Sequence, residues 1–462
     1  MSKSLKYTIS VVTFGFSLLT GVTEAQAVTF STTLTTVVDG LSNPRGLSFG
    51  PDGTLYVSEP GIGGDGECQP SPSTLFQPLC VGYNSSYLKI TTDGKQERLF
   101  ENFASVAEQP SGNQGAGLQD LQFDSLGNAY ILTGFAGYPG NRDLELNILG
   151  SNYPIPPSQL NTFPPSPPEE VLDTPLLAKL FKADLNTGEL TTIFDFGRYE
   201  LTNNPDGGDV VTNPFDLSIT GNTAYVTDGG GNTAYRINLD ATGFDTIALP
   251  KQIFDSSILP PLPPGQELLD GLVEFLPPAE PGGQPQIAVQ SVPTGGAIGP
   301  DGAFYVGEYL GFPYPEDSAR IFRIGEDGVP EIFADGFNHI TDLAFDENGN
   351  LLVLQFSDES QLNGDIRFLP GSLIQVAPDG TRTTLVAAGE GLESAAGLTI
   401  GPDNKIYITK RGVGPGLGEV VRVDVEVVPE PSSILGALTA LGGGTWLKRQ
   451  RKKLSDKNKA KV

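Results

Sequence analysis

Carboxylate side chains that recur at equivalent places are the first candidates for chemistry in this sequence. Glu59, Asp228 and Glu308 each follow a Tyr-Val pair by two residues, and Asn213 precedes a similar apolar segment. Hard oxygen ligands of this kind suit Ca²⁺. A metal held there would polarise a carbonyl while a carboxylate moves a proton. The alternative is that these four polar groups only hydrogen-bond water, so whether the chain is an enzyme stays open.

Other polar residues in comparable positions extend the candidate set. Arg45, Lys410 and Arg411 either balance the acids or bind an anionic group, and Asn338 is a further ligand-binding candidate. His339, the single histidine, could serve as a lone general base, although such a residue more often satisfies a turn. One histidine and two cysteines exclude a histidine-rich metal site and a zinc ribbon. Tyr138, Phe312 and Tyr314 could stack on an aromatic ligand or simply pack in the core.

Composition limits both the fold and the partners. The 462 residues include 58 glycines and 38 prolines, which suits many short strands and turns and argues against a helical bundle or coiled coil. The formal net charge is −27, and both termini are basic, so the central part is more acidic still. Such a surface repels nucleic acid and anionic lipid. We therefore expect no nucleic-acid partner.

A repeated unit sets the expected fold. It consists of an alternating apolar strand, a Gly/Asp/Asn turn and a second strand, and it occurs six times. In five copies a turn residue follows the apolar anchor by four positions and an apolar residue follows by seven. The anchors are Phe49, Phe123, Ile219, Ile298, Phe345 and Ile400.

A second hairpin follows each unit, except that the sixth lacks its return strand. Residues 33–38 near the N-terminus have the pattern of that missing strand. The sequence thus predicts an all-β, six-bladed β-propeller of four-stranded blades over residues 28–427, closed by the N-terminal strand joining the last blade. In such a ring, the residues that enter each first strand and end each second strand converge. The second-strand ends are Glu59, Thr133, Asp228, Glu308, Gln355 and Lys410.

Several short sequence segments resemble those of a known family. The repeats are similar to NHL-type propellers. The segments 43–46, 292–295, 299–302, 305–308 and 311–313 resemble the ScyD/ScyE family of exported cyanobacterial proteins. This resemblance implies an extracytoplasmic propeller linked to biosynthesis of the pigment scytonemin, and it supplies no agreed reaction. Related six-bladed lactonases hold a metal with Glu, Asn and Asp, which permits the calcium interpretation.

The N-terminus is typical of a secretory signal. Lys3 and Lys6 precede an apolar stretch at residues 7–19, and Ala25 and Ala27 form a small-x-small cleavage site. We expect residues 1–27 to be a signal peptide.

The C-terminal segment, residues 428–462, resembles a PEP-CTERM sorting signal. Pro429, Glu430 and Pro431 precede an apolar run at 434–447 and a basic cluster. The resemblance implies processing by an exosortase. The alternative is a plain stop-transfer anchor. Both place the main domain in the periplasm, at the cell surface or in the extracellular matrix, with membrane contact only through this segment.

Three insertions interrupt the repeats, near residues 60–82, 138–175 and 251–290. The first contains Cys68 and Cys80, for which export favours a structural disulfide over a catalytic thiol pair. The third predicts a short helix near residues 266–275. Long loops on a rigid scaffold either carry function or are surface elaboration.

Two functional hypotheses follow. The first is an exported module that binds a ligand or protein, such as an aromatic pigment precursor or a cell-envelope protein, and that assists scytonemin-type pigment biosynthesis without a required cofactor. The alternative is a calcium-dependent enzyme of the lactonase or strictosidine-synthase type, with its site in the central channel.

Overall fold

A computed structural model describes residues 29–152, 165–261 and 272–428. The predicted signal peptide and nearly all of the predicted C-terminal segment lie outside these residues, so both remain predictions. Residues 32–425 form one compact unit. Among the described residues, no helix is long and apolar enough to cross a bilayer.

The protein is all-β, with antiparallel sheets and short helices. Its first strand, β1 (Thr29–Leu41), is paired with the last strand of the chain. The α-helices within the described residues are α1 (Leu144–Gly150) and α2 (Phe196–Asn203). Single 3₁₀ turns occur at Pro72–Thr74, Pro139–Asn141, Pro168–Glu170, Ser256–Ile258 and Gln361–Asn363.

The first three large sheets each place their strands in sequence order along the sheet, apart from one added strand. Sheet 1 contains β2 (Leu47–Phe49), β3 (Leu55–Glu59), β4 (Cys68–Pro70), β5 (Pro78–Ile90) and β6 (Gln96–Glu108), with both β4 and β6 paired to β5. Sheet 2 contains β7 (Leu118–Phe123), β8 (Ala129–Thr133), β9 (Lys179–Ala183) and β10 (Leu190–Asp195). Sheet 3 contains β11 (Pro214–Thr220), β12 (Thr223–Asp228), β13 (Thr233–Asn238) and β14 (Phe244–Ala248).

A small three-stranded sheet interrupts this series and three further large sheets follow it. The small sheet contains β15 (Gln252–Asp255), β16 (Glu274–Leu276) and β17 (Gln286–Val289). Sheet 4 contains β18 (Pro293–Ile298), β19 (Phe304–Glu308), β20 (Ala319–Ile324) and β21 (Pro330–Phe337). Sheet 5 contains β22 (Ile340–Phe345), β23 (Leu351–Gln355), β24 (Pro370–Val376), β25 (Arg382–Val386) and β26 (Leu392–Glu393), the last paired to β24. Sheet 6 contains β27 (Gly397–Ile400), β28 (Ile406–Lys410), β29 (Gly418–Val428) and β1.

Two expectations about connectivity are confirmed. Strand β1 pairs with β29 in sheet 6 and supplies the return strand that the last repeat lacks. Cys68 and Cys80 form a disulfide between β4 and β5. In the third insertion, residues 274–276 form strand β16, whereas residues 262–271 lie outside the described part, so the predicted helix is replaced by a strand at its C-terminal end.

The repeat period is reproduced in the core. One position of each second strand is an aliphatic side chain with 0% exposure, packed between neighbouring sheets. These residues are Val57, Ile131, Val226, Val306, Val353 and Ile408. Turns between first and second strands are stabilised by Asp side chains. For example, Asp124 Oδ1 accepts bonds from the Leu126 and Asn128 amides at 2.9 and 2.8 Å.

The first strands of the six large sheets contact one another in a closed cycle, in the order β2, β7, β11, β18, β22, β27 and back to β2. Hydrogen bonds cross these junctions near the start of the strands. Ser58 Oγ donates to Gln119 O at 2.7 Å, and Thr227 Oγ1 donates to Thr294 O at 3.0 Å. Thr409 Oγ1 donates to Arg45 O at 2.8 Å, which joins sheet 6 to sheet 1.

The junctions also require close backbone approach at one repeat position. A Cβ built on Gly295 would lie 2.7 Å from the Asp342 Cα and 2.9 Å from its N and C atoms. These are backbone atoms of the next first strand, so they have little freedom to retreat. Glycine is needed here for space rather than for an unusual φ.

We expect Gly295→Ala to lower the free energy of unfolding by about 1–3 kcal/mol, because overpacking a rigid junction forces backbone shifts. Urea unfolding of the full chain measures this change. Gly243→Ala is the matched control, since the nearest atom to its new Cβ outside the adjoining residues is the Asn238 side-chain nitrogen at 3.6 Å. Equal stability of the two variants would contradict a tight junction at Gly295.

Candidate functional site

A cavity of about 560 Å³ lies at the starting ends of the first strands. Its wall includes the residue four positions before the apolar anchor in five of the six repeats. These residues are Arg45, Gln119, Phe215, Thr294 and Thr341. The cycle of first strands therefore brings side chains from five sheets to one place.

The pairing between first and second strands is irregular at these wall positions. The registers of β7, β11, β18 and β22 against their second strands each skip one residue, namely Gln119, Phe215, Thr294 and Thr341. A bulge of this kind leaves a residue out of the ladder and redirects its side chain. In each of the four strands the skipped residue lines the cavity.

Aromatic rings form one side of the wall. Tyr309, Phe312 and Tyr314 come from the loop after β19, and Phe356 follows β23. Tyr309 lies 5.6 Å from Phe356 and 6.4 Å from Tyr314 between ring centroids. Burial raises the pKa of both tyrosines, so their phenols stay protonated at neutral pH. The Tyr309 hydroxyl donates to Gln361 Oε1 at 2.9 Å.

Two of the three predicted insertions supply further wall residues. The first contributes Ser71, Pro72, Ser73 and Phe76, and the third contributes Lys251, Leu272, Val273, Glu274, Ala288 and Gln290. Lys251 Nζ lies 2.7 Å from Glu274 Oε2. The described part of the second insertion instead packs against the scaffold, where buried Arg142 pairs with Asp143 and Asp195 at 2.8 and 2.7 Å.

The predicted glutamates Glu59 and Glu308 each accept hydrogen bonds from an arginine of their own sheet and from a residue just before that sheet. Glu59 accepts bonds from the Ser42 amide at 3.1 Å and from Arg98 Nε at 3.0 Å. Glu308 accepts from Ser291 Oγ at 2.8 Å and from Arg320 Nη2 at 2.6 Å. Each glutamate ends a second strand as expected, and each connects that strand to neighbouring segments.

Asp228 and Asn213 are adjacent, but the Asp228 carboxylate is used to hold the local backbone. The Asp228 carboxylate accepts bonds from the Asn213, Gly230 and Gly231 amides at 2.6, 3.0 and 3.0 Å. It also accepts from Thr212 Oγ1 at 2.6 Å, while burial raises its pKa. Asn213 lines the cavity, and its Oδ1 accepts from the Phe135 amide at 3.2 Å.

The structure therefore does not gather Glu59, Asn213, Asp228 and Glu308 around one point. Across the described residues, no three His, Cys, Asp or Glu side chains are arranged to hold a metal ion. Each strand-end carboxylate instead accepts hydrogen bonds from a strand-entry segment, and Glu59 and Glu308 also bind an arginine of their own sheet.

Three other predicted residues, His339, Lys410 and Asn338, lie outside the cavity wall. His339 packs behind Tyr309 at 5.0 Å, Nδ1 lies 3.3 Å from Ser357 O, and burial lowers its pKa to about 4. Lys410 lies between Glu393 and Glu419 at 3.3 and 3.5 Å.

Asn338 connects chain segments. Its backbone amide donates to Gln355 Oε1 at 2.8 Å, and its Oδ1 accepts from the Asp317 amide at 2.6 Å. A neutral, enclosed His339, a neutralised Lys410 and this bridging Asn338 all support the walls rather than face the cavity.

Arg45, Asn213, Phe312 and Tyr314 are the predicted candidates that do line the cavity, whereas Tyr138 is 1% exposed in a core cluster. The sequence reasoning missed Gln119, Phe215, Thr341, Tyr309 and Phe356. The first three share a fixed distance from the apolar anchors, which would have identified them.

One residue further along the first strands, three aspartates form a buried tier. Asp120 Oδ2 accepts from the Leu217 amide at 3.2 Å, and Asp342 Oδ2 accepts from the Leu398 amide, each across a junction. Asp216 Oδ2 has no partner among the described residues. Burial raises the pKa of all three, that of Asp120 to about 7, and the charge of Asp342 adds to the effect on Asp216.

No family model and no curated protein matches the chain. Solved structures resemble it at low identity. Virginiamycin B lyase from Staphylococcus aureus is 11% identical over 87% of this chain and 90% of its own, with a TM-score of 0.39. A gluconolactonase from Xanthomonas campestris is 13% identical over 85% and 89%, with a TM-score of 0.43. The aldose sugar dehydrogenase from Streptomyces coelicolor is 13% identical over 87% and 100%, with a TM-score of 0.45. Likenesses at this level assign no activity to the chain.

The aspartate tier predicts a pH dependence of stability. Because the pKa of Asp216 is raised in the folded state, its contribution to stability is lost as pH rises above its unfolded value of about 4. Asp120 and Asp342 face it and act in the same direction. We expect Asp216→Asn to melt near the wild-type temperature at pH 4 and increasingly above it toward pH 8.

Melting temperatures at several pH values measure this difference. Asp245→Asn serves as the control, because the Asp245 side chain is 71% exposed and its substitution should give a difference that does not grow with pH. A constant difference between Asp216→Asn and the wild type would show that Asp216 is not a buried charge.

Proposed function

We propose that the six large sheets are the blades of a six-bladed β-propeller and that the protein is a ligand-binding module. Its binding site is the cavity at the starting ends of the first strands. The observation that carries the proposal is that five equivalent repeat positions converge on this one cavity, four of them through β-bulges.

The size and lining of the cavity support this function. A volume of about 560 Å³ lies within the range of small-molecule sites, which are mostly apolar with a few placed polar groups. Here the apolar part is Phe215, Phe312 and Phe356, and the polar groups include Gln119 and Thr294. Gln119 Oε1 is buried and has no partner among the described residues, so it is free to accept a bond from a ligand.

The scaffold suits recognition by a largely preformed site. Four of the five repeat positions in the wall lie on first strands, Arg45 lies just before the fifth, and hydrogen bonds join neighbouring sheets around the cycle. The first and third insertions supply further wall residues from outside these strands. Sites on strands are more precisely positioned than sites on loops alone. The insertions are then the natural place for differences in ligand choice.

The hydrolase hypothesis has less support. It needs several carboxylates around one metal, and Glu59, Asp228 and Glu308 are each occupied by donors within their own surroundings. A single buried His339 behind Tyr309 supplies no exposed base. We therefore place binding ahead of turnover.

Export and the cellular role are part of the same proposal. The signal-like residues 1–27 and the PEP-CTERM-like tail favour action in the periplasm or at the cell surface. Exosortase processing, a cell-envelope partner and a role with a scytonemin-type pigment precursor stay predictions from the resemblance. An aromatic-walled cavity is compatible with such a precursor.

A blocking variant tests the site. Ser73 is a half-buried wall residue on the 3₁₀ turn Pro72–Thr74, and Ser73→Trp would place an indole in the cavity. We expect the wild-type chain to bind the neutral probe 2-naphthamide and the variant to bind it about tenfold or more weakly, since the ring loses its space.

Isothermal titration calorimetry on the full chain measures both affinities. Leu126→Trp is the matched control, because Leu126 is 87% exposed and is not a wall residue. Equal binding by the wild type and Ser73→Trp, or equal binding by both tryptophan variants, would remove the cavity as the binding site.

A further inference from the structure

Arg45 is a buried cation with no carboxylate partner among the described residues. It is 9% exposed, and its Nη1 donates to Gly412 O at 2.7 Å. Its Nε has no partner within the described part of the chain. The guanidinium carbon lies 5.6 Å from the centroid of the Phe215 ring, which gives a cation–π contact but no opposite charge.

Other buried cations of the same chain are neutralised. Arg142 pairs with Asp143 and Asp195, and Lys410 pairs with Glu393 and Glu419. Burying an unpaired charge is costly, and proteins normally pair such a group. Burial lowers the pKa of Arg45 to about 10, which still leaves it charged at neutral pH.

The nearby aspartate tier does not neutralise Arg45. Asp120 follows the repeat position equivalent to Arg45, but its oxygens accept bonds from the Leu121 and Leu217 amides and the Gln122 side chain. Asp216 and Asp342 lie at the same level as Asp120 in their strands. The charge of Arg45 is thus presented to the cavity that it lines.

The free edge of the guanidinium suits a carboxylate. Arginine binds carboxylates side by side through two N–H donors, a geometry with directional specificity. With Nη1 bonded to Gly412 O, the buried Nε is the donor that has no partner among the described residues. Aromatic rings of Phe215, Tyr309 and Phe312 stand around the same cavity and favour a flat apolar body.

We infer that the ligand of this cavity is an aromatic carboxylate, with its anionic group held by Arg45 and its ring held by the aromatic wall. This inference rests on the proposed binding function and specifies its ligand class. It also accounts for a buried cation kept without a carboxylate partner, among the described residues, in a chain of net charge −27.

A matched pair of probes tests the inference. At pH 7, 2-naphthoate carries the negative charge and 2-naphthamide has the same shape without it. We expect the wild-type chain to bind 2-naphthoate about tenfold or more tightly, because charge-assisted hydrogen bonds are roughly twice as strong as neutral ones. Calorimetry on the full chain measures both affinities.

The variant Arg45→Gln should remove this preference. Its affinity for 2-naphthoate is expected to fall about tenfold or more, with its affinity for 2-naphthamide changed less than about threefold. Arg422→Gln on β29 is the control, since Arg422 pairs with Asp424 and is not a wall residue. It should keep both affinities.

The outcomes separate the two claims. If the wild type binds both probes equally, the carboxylate inference is overturned and the binding function stands; this result needs no variant to fold. If Arg45→Gln keeps the full preference for 2-naphthoate, another group holds the anion and the inference is also overturned. If neither probe binds, the proposed function fails, and the inference fails with it.

Discussion

Hydrogen bonding between neighbouring sheets, at the entry to each first strand, is the constraint on which the rest of the structure depends. Each sheet alone is a small antiparallel unit, and the cycle of contacts from β2 to β27 and back joins six of them. Hydroxyl donors such as Ser58, Thr227 and Thr409 bond to carbonyls of the next sheet. Because these bonds use strand-entry positions, the start of every first strand is fixed relative to its neighbours. The bulges that point side chains into the cavity are therefore held rigidly.

The position three residues before each apolar anchor also lies at these junctions. It is occupied in two contrasting ways. Asp120, Asp216 and Asp342 extend a carboxylate toward the next strand, whereas Gly46, Gly295 and Gly397 allow close approach without a side chain. The aspartates are enclosed beneath the cavity, and their charges repel one another. Carboxylates of this tier thus stabilise the ring through amide bonds while opposing it through desolvation. Arg45, which lines the cavity, forms no ion pair with these aspartates among the described residues.

Conspicuous polar residues proved to be mostly structural. Glu59, Asp228 and Glu308 stand at the strand ends where a propeller-like arrangement would place catalytic groups, yet each accepts hydrogen bonds that fix an entry loop or a neighbouring strand. The oxygens of these carboxylates are therefore used by neighbouring backbone and side-chain donors. The residues that face the cavity are less conspicuous in type, such as Gln119, Thr341 and Phe215, and they are distinguished only by their position in the repeat.

The sequence by itself determined the all-β class, the six repeated hairpins, the pairing of the N-terminal strand with the last sheet and the Cys68–Cys80 disulfide. These features depend on local turn residues and on the alternation of apolar and polar residues, both of which are visible in the sequence. Only the tertiary structure decided which polar groups share a site. Phe215 and its equivalents are marked in the sequence only by their fixed distance from the apolar anchors, and that distance does not show that their side chains line a cavity. The pairing of Glu308 with Arg320 and the isolation of Arg45 also depend on side-chain directions in three dimensions. Spacing along the chain cannot encode those directions, because a one-residue irregularity reverses the face on which a strand residue lies.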